Sequence, residues 1–328
     1  MAAMRFFSVI ALVAFCTSVQ AAPLQNNATT NGFAQWLQVL EQDAVANGIN
    51  PETAHAALSH VILDNRVIAL DQKQPETTIT FDTYMRRIVT QSRIEAGRQL
   101  LDKYGDKLNE ISQHYGVQPQ VIVALWGMES SFGRNSGDYN IVDSLVTLAY
   151  EGRRADFFRK ELFNALRILD NEHIPATALR GSWAGAMGQC QFMPSTYLRY
   201  AVDYDQNGVK DIWSDPSDVW ASIANYIAAE GWRSDLTWGR EVELDQDIPA
   251  SDVGLDHQHT LAEWQQRGVH SLNGDNLPNK ALSASLIQPD GPDGRSFLVY
   301  DNFRALMRWN RSTYFATAVG LLADRIEE

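Results

Sequence analysis

Thirteen residues in the middle of the chain, Val121 to Gly133 (VIVALWGMESSFG), limit what the rest can fold into. Val121, Ile122, Ala124, Leu125, Trp126 and Met128 leave almost no polar face, the pattern of a helix packed on several sides. Gln118-Pro119 supplies its start, because proline lacks an N–H that a first helical position does not use. Glu129 breaks the apolar run. Burial beside such a run disfavours the charged carboxylate, so Glu129 is expected to keep its proton to higher pH and to be able to donate it. The competing reading is a surface glutamate in an ordinary ion pair at a helix end.

The N-terminus reads differently. Arg5, an apolar run from Phe6 to Phe15, and Val19-Gln20-Ala21 form a cleaved secretory signal, residues 1–21, whose apolar part is too short for a stable bilayer anchor. Cys16 raises the alternative of a lipid anchor, but Phe15 stands where that processing wants a small residue, and Pro23 argues against cutting after Ala22. No later run is long enough to be a transmembrane helix. The expected mature protein is soluble and periplasmic. Removing the signal leaves Cys190 as the one cysteine, so an intramolecular disulfide is excluded and the core alone must hold the fold. The full chain of 328 residues carries a formal charge of −13, which becomes −14 once Arg5 is removed. That balance argues against nucleic acid and anionic membrane surfaces as partners, since both need a basic footprint.

Most of the remaining chain is helical in pattern. Phe33, Trp36, Leu37, Leu40 and Ala44 mark an amphipathic helix ending at Gly48, and Asn50-Pro51-Glu52 opens a second. Thr77 to Phe81 reads as extended, Tyr84 resumes helical spacing, and Tyr104-Gly105 and Tyr115-Gly116 read as breaks between short helices. Helical pattern continues from Asp143 to Leu169, with Arg153 and Arg154 near a helix start. Gly181 to Tyr197 (GSWAGAMGQCQFMPSTY) is glycine-rich without the Gly-Lys-Ser/Thr of a phosphate loop; carrying Ser182, Gln189 and Gln191, it suits a neutral ligand rich in hydroxyl and amide groups, or else a packed turn. Beyond Gly239, short strands around Val242–Leu244, Ala284–Ile287 and Phe297–Val299 surround one short helix, Leu261 to Arg267, before the final helices from Asn302 to Ile326.

Asp203, Asp205 and Asn207, followed by Gly208 and Val209, place oxygen donors at alternate positions and a glycine at the sharp bend, as a calcium loop begins. Position twelve is Ser214, so the closing carboxylate must come from Asp215 or Asp218; without it the stretch is an acidic surface turn. The histidines show no zinc spacing.

Taken together, Glu129-Ser-Ser-Phe-Gly133, Gly185-Ala-Met-Gly188 with Gln191-Phe-Met-Pro-Ser195, the loop from Asp203, Ala224-Asn-Tyr226 with Gly231-Trp232, Asn302-Phe303 and Arg308-Trp-Asn-Arg-Ser312 resemble the lytic murein transglycosylase B family, enzymes that cleave the glycan strands of bacterial peptidoglycan. The resemblance implies a mainly α (α+β) fold: a lysozyme-like helical core with an additional helical region and a small β-containing module. The implied division is 22–105 for an N-terminal helical region, 106–238 for the catalytic core with the calcium-type loop, 239–300 for the mixed module, and 301–328 for C-terminal helices packing back on the helical region. It makes Glu129 the single catalytic acid and base, and sets Tyr84, Arg153, Arg154, Ser182, Gln191 and Tyr226 along the glycan. It implies a structural calcium ion on Asp203, Asp205, Asn207, the Val209 carbonyl and Asp218, although one extra residue precedes Asp218 here. No cofactor is implied for catalysis. Peptidoglycan strands are the implied partner, with cell-wall synthesis proteins as a further class, and a monomer is expected.

An ordinary glycosidase needs two carboxylates at a set separation. One compelling carboxylate instead suits a reaction in which Glu129 protonates the bond between N-acetylmuramic acid and N-acetylglucosamine, then takes the proton of the muramyl C6 hydroxyl as a 1,6-anhydro ring closes. Two rivals stand beside it: a hydrolase using Asp138 or Asp143 as second carboxylate, and a non-catalytic, calcium-dependent wall-binding protein.

Overall fold

The computed structural model of the chain describes residues 30–73, 79–151 and 153–328; the expected signal, with Arg5, Phe15 and Cys16, lies outside them. The described helices are α1 Thr30–Ala46, α2 Pro51–Leu58, α3 Asn65–Gln72, α4 Phe81–Ile88, α5 Gln91–Tyr115, α6 Pro119–Ser130, α7 Ile141–Glu151, α8 Ala155–Glu172, α9 Pro194–Tyr200, α10 Pro216–Ala229, α11 Leu261–Gln266, α12 Asp301–Trp309 and α13 Thr313–Glu327. The strands are β1 Tyr139–Asn140, β2 Arg180–Gly181, β3 Gly239–Leu244, β4 His259–Thr260, β5 Val269–Ser271, β6 Ser283–Ile287 and β7 Ser296–Val299. The chain is mainly helical with a small sheet, as expected. No described helix is long and apolar enough to cross a membrane.

Contacts gather the described residues into two discontinuous units, 30–73 with 129–222 and 79–128 with 223–328. The first, the Glu129 unit, is built on α7, whose Ile141, Val142, Leu145, Val146 and Leu148 are buried. Helix α8 packs along it, α3 touches it, and α2 and α9 pack on α8. Capping fixes where the outer helices begin: the Asn50 side chain accepts the Glu52 N–H at 2.8 Å and Pro51 takes the first position of α2. Glu161, buried in α8, accepts both the Ser195 amide and its hydroxyl, at 2.9 and 2.7 Å, and so anchors the first turn of α9. Strands β1 and β2 pair antiparallel, Tyr139 opposite Gly181, which ties the entry of α7 to the glycine-rich segment.

The second, the sheet unit, carries an antiparallel sheet ordered β4-β6-β7-β3-β5. Val242, Leu286 and Leu298 from the sheet, with Leu261 and Trp264 of α11, form its buried cluster, and the Trp264 indole N–H donates to the Ala284 carbonyl at 2.9 Å. Helix α11 starts on a reciprocal cap between Thr260 and Glu263. Helix α13 packs on α5, α4 and α12. Gly320 is required there: a Cβ would stand 2.2 Å from the Trp238 ring. The expected break at Tyr104-Gly105 is present as a kink, Tyr104 at φ −115°, ψ 15° separating two helical stretches of α5, and the expected break at Tyr115-Gly116 ends α5, with Gly116 left-handed at φ 70°. Phe81, expected at the end of an extended stretch, opens α4, and the residues from 74 to 78 lie outside those described.

Candidate active site

Helix α6 is what the apolar run dictates: Val121 through Gly127 are buried, and the partly exposed Met128 and Glu129 follow in its last turn. Past Ser130 the backbone turns over through three consecutive left-handed residues, Ser131 (φ 52°), Phe132 (φ 61°) and Gly133 (φ 79°). Left-handed geometry costs a non-glycine residue roughly 1–2 kcal/mol, so this turn persists only because its surroundings hold it. Two hydrogen bonds do so: buried Ser130 Oγ accepts the Gly133 N–H at 3.0 Å, and the Ser130 carbonyl accepts the Asn135 N–H at 2.8 Å. At position 133 the left-handed φ favours glycine, and a Cβ there would also displace Gln189 Oε1, 2.3 Å away.

The glycine-rich segment belongs to the same unit. Ser182 closes its first turn, accepting the Ala186 N–H on Oγ at 3.1 Å while its own N–H donates to the Ala186 carbonyl at 2.7 Å. Gln191 is left-handed (φ 51°), and its amide nitrogen donates to the carbonyls of Ser136 and Gly188, both at 2.8 Å. Gln191 therefore joins the loop after Glu129 to the glycine-rich segment. Gln189 donates from its side-chain nitrogen to the Trp213 carbonyl at 2.7 Å. Cys190 is buried with its thiol directed at the Val219 carbonyl, 3.5 Å away; burial pushes the thiol well up, and the charges of Glu129 and Asp218 add to it. A thiol so held is no nucleophile.

Arg153 and Arg154 diverge. Arg153 donates to the Asp71 carboxylate through Nε and Nη2, at 2.9 and 2.5 Å, and to the Asp71 carbonyl at 3.1 Å. The guanidinium of Arg154 lies over the rings of Phe157 and Phe158, 5.8 and 4.8 Å from their centroids; its buried Nε has no hydrogen-bond partner, and burial lowers its pKa. Asp71 was invisible to a reading of the sequence, because nothing in an apolar helix turn 82 residues earlier marks the partner of an arginine.

Of the two carboxylates considered as a second acid, Asp138 is exposed and Asp143 half-buried in the first turn of α7. Burial and the Asp64 charge push Asp143 up, with Arg180 opposing, so its ionised form is disfavoured as a nucleophile. The sheet unit carries the other two expected residues. Tyr84 is buried in α4 with its ring against Tyr314, so most of it is spent on packing. Tyr226, half-buried in α10, donates its hydroxyl to the Arg308 carbonyl at 2.8 Å and packs edge-on against Trp309.

The acidic loop folds as its spacing requires. Asp203, Asp205 and Asp218 bring one carboxylate oxygen each within 4.8 Å of one another. Asp203 accepts the N–H groups of Asn207 and Gly208, and the Asn207 amide donates to Asp205 at 3.0 Å. Asp218 is fully buried; burial, with Asp215 and Asp205 adding, raises it to about 6 although it accepts N–H groups from Tyr204 and Asp211. Of the two candidates for the closing carboxylate, Asp218 joins the cluster, while Asp215 caps α10 by accepting the Ser217 N–H at 2.7 Å. Three converging acids, one of them buried, fit a hard divalent cation with oxygen ligands.

Known proteins share this fold. Residues 32–324 match the family described as the transglycosylase SLT domain. The membrane-bound lytic murein transglycosylase B of Escherichia coli (strain K12) is 32% identical over 279 residues, covering 80% of this chain and 74% of that protein. Among solved structures, SltB3 from Pseudomonas aeruginosa in complex with NAG-anhNAM-pentapeptide superposes with a TM-score of 0.87 at 42% identity, covering 90% of this chain and 79% of that one. The Escherichia coli lytic transglycosylase Slt35 in complex with calcium gives a TM-score of 0.76 at 30% identity, covering 89% of this chain and 92% of that one.

Proposed function

The chain belongs to the transglycosylase SLT-domain family, and from that premise we propose that Glu129 is the single acid and base of its reaction. It is an enzyme, a peptidoglycan lytic transglycosylase that cleaves the β-1,4 bond between N-acetylmuramic acid and N-acetylglucosamine. Protonated Glu129 donates to the bridging oxygen, and the bond from that oxygen to C1 of the muramyl ring breaks. The N-acetylglucosamine part leaves as an alcohol carrying the proton. The Glu129 carboxylate then takes the proton of the muramyl C6 hydroxyl as its oxygen bonds to C1, which returns Glu129 to its starting state. No water is consumed, so the step is a lyase reaction, and proton transfer by one side chain needs no cofactor.

The observation that carries this reading is the position of Glu129: a partly exposed carboxyl in the last turn of a helix whose stretch from Val121 to Gly127 is buried, just ahead of a turn held in a costly backbone conformation. Within the same unit, Ser182, Gln191, Arg153 and Arg154 are proposed contacts to the glycan strand, and Tyr84 and Tyr226 are proposed contacts carried by the sheet unit. Calcium is proposed on Asp203, Asp205, Asn207, the Val209 carbonyl and Asp218. Bound there, it would offset the repulsion of the three carboxylates and serve structure alone. Residues 1–21 are proposed as an export signal that sends the mature protein to the periplasm. Mass spectrometry of muropeptides released from purified sacculi tests the chemistry. Products ending in 1,6-anhydromuramic acid, one water lighter than hydrolysed ends, are expected; reducing ends would make it a hydrolase, and no release would make it a binding protein.

A further inference from the structure

The turn that follows Glu129 and the segment that closes the acidic loop meet at one side chain. Gln189 is 9% exposed, and both ends of it are held from the acidic-loop side: its backbone N–H donates to the Ile212 carbonyl at 2.8 Å and its side-chain nitrogen to the Trp213 carbonyl at 2.7 Å. With the amide nitrogen so directed, its oxygen lies against Gly133, where a Cβ would approach to 2.3 Å. Gly133 is four residues after Glu129 and ends the left-handed run. On the far side, Asp211 accepts the Trp213 N–H at 2.8 Å, and its own N–H donates to Asp218 at 2.8 Å. A continuous series of hydrogen bonds thus runs from the Asp218 carboxylate to the Gln189 amide, which abuts the turn that follows the acid.

We propose that Gln189 is a positioning residue for Glu129, bracing the left-handed turn against the 211–218 segment so that the carboxyl is held where proton transfer needs it. The proposal rests on Glu129 being the acid and base. General acid catalysis depends on sub-ångström placement, and a shift of about 1 Å costs about a hundredfold in rate. A left-handed turn with two non-glycine residues persists only where its surroundings hold it, and Gln189 fills the space beside its last residue, Gly133. This differs from binding substrate: the effect falls on the chemical step and on the surroundings of the acid.

Gln189→Met keeps the length and shape of the side chain beside Gly133 and removes the N–H that holds it to Trp213. Measured on soluble glycan strands with the full mature chain, kcat should fall about tenfold with KM within about twofold, and the pH–rate profile should shift because the acid's surroundings change. Unchanged kcat with an unchanged profile overturns the proposal, as does a loss of activity that only tracks a lowered melting temperature with the profile unmoved. If Gln189→Met does not fold, Gln189→Asn, which keeps the amide on a shorter stem, carries the same readouts. Glu129→Gln assayed alongside separates the two levels. An inactive Glu129→Gln beside a wild-type-like Gln189→Met sinks this inference alone, whereas an active Glu129→Gln sinks the reading beneath it.

Discussion

Arg153 holds Asp71 by two parallel hydrogen bonds, Nε to Oδ2 at 2.9 Å and Nη2 to Oδ1 at 2.5 Å, and the partners differ in exposure, 54% of the arginine side chain against 9% of the aspartate. The pair is therefore asymmetric. Removing the aspartate leaves a guanidinium that water can solvate; removing the arginine leaves a carboxylate buried without its main donor. Arg153→Ala should lower stability by about 2 kcal/mol and Asp71→Ala by less than about 1 kcal/mol, after allowing for screening at the exposed arginine. Denaturant melts of both variants test the ordering, and equal losses would mean that the pair acts only as a surface contact.

Glu129→Gln should fold, bind glycan and fail to turn over. The amide occupies the same space and cannot deliver a proton, and loss of a general acid costs about 10² to 10⁴ in rate, more where the same group also serves as base. Anhydromuropeptide release compared at equal enzyme concentration measures it. Retention of more than about a tenth of the activity would remove Glu129 from the mechanism.

How far the chain could be read before its structure was known depended on range. Helix starts were legible because their causes are local: Asn50 before Pro51 and Gln118 before Pro119 act within a few residues. The three main strands of the sheet were legible for the same reason. The break at Tyr104-Gly105 was legible too, since the non-helical Tyr104 divides α5 where the glycine stands. The site divides in the same way. Glu129 stands out by its abrupt polarity at the end of an apolar run. What surrounds it could not be read off, because Asp71 for Arg153, Trp213 for Gln189 and Glu161 for Ser195 are contacts between distant positions that no spacing encodes.

A pH dependence follows from Asp324 near the end of α13. Burial raises its carboxyl from 3.8 to about 6, the Trp238 indole N–H at 3.0 Å pulls it back, and Glu327 and Glu328 push it further up. A carboxyl raised on folding binds its proton more tightly in the native state. Its contribution is thus fully present below about pH 4 and is lost as pH rises through about 6. Asp324→Asn keeps an oxygen for Trp238 and escapes that loss. The variant should match wild type near pH 4 and be more stable by about 2–3 kcal/mol above pH 7. Denaturant melts at both pH values check it, and a variant less stable at pH 7.5 would reverse the sign.

Export should leave a mature protein beginning at Ala22. The apolar part of residues 1–21 suits a cleaved signal, and Phe15 before Cys16 disfavours acylation. The Escherichia coli relative is membrane-bound, which makes membrane attachment the competing outcome. N-terminal sequencing with fractionation of soluble periplasm from membranes decides between the two. A lipid-modified Cys16 would make this chain an anchored enzyme.

The acidic loop should behave as a calcium site that supports structure and takes no part in proton transfer. Asp203, Asp205 and Asp218 converge within 4.8 Å, and Asp218 is buried, an arrangement that repels itself without a cation. An ion that binds only the folded state stabilises it by mass action, about 2.7 kcal/mol at a hundredfold excess over its dissociation constant. Calcium should therefore raise the melting temperature, and Asp205→Ala should erase that rise. Asp205 is exposed and its partners are confined to the loop, so the variant should fold and keep measurable activity at low temperature. A melting curve unmoved by calcium or chelator would reduce the loop to an acidic turn. Complete inactivation of a folded Asp205→Ala protein would instead give the loop a part in the reaction itself.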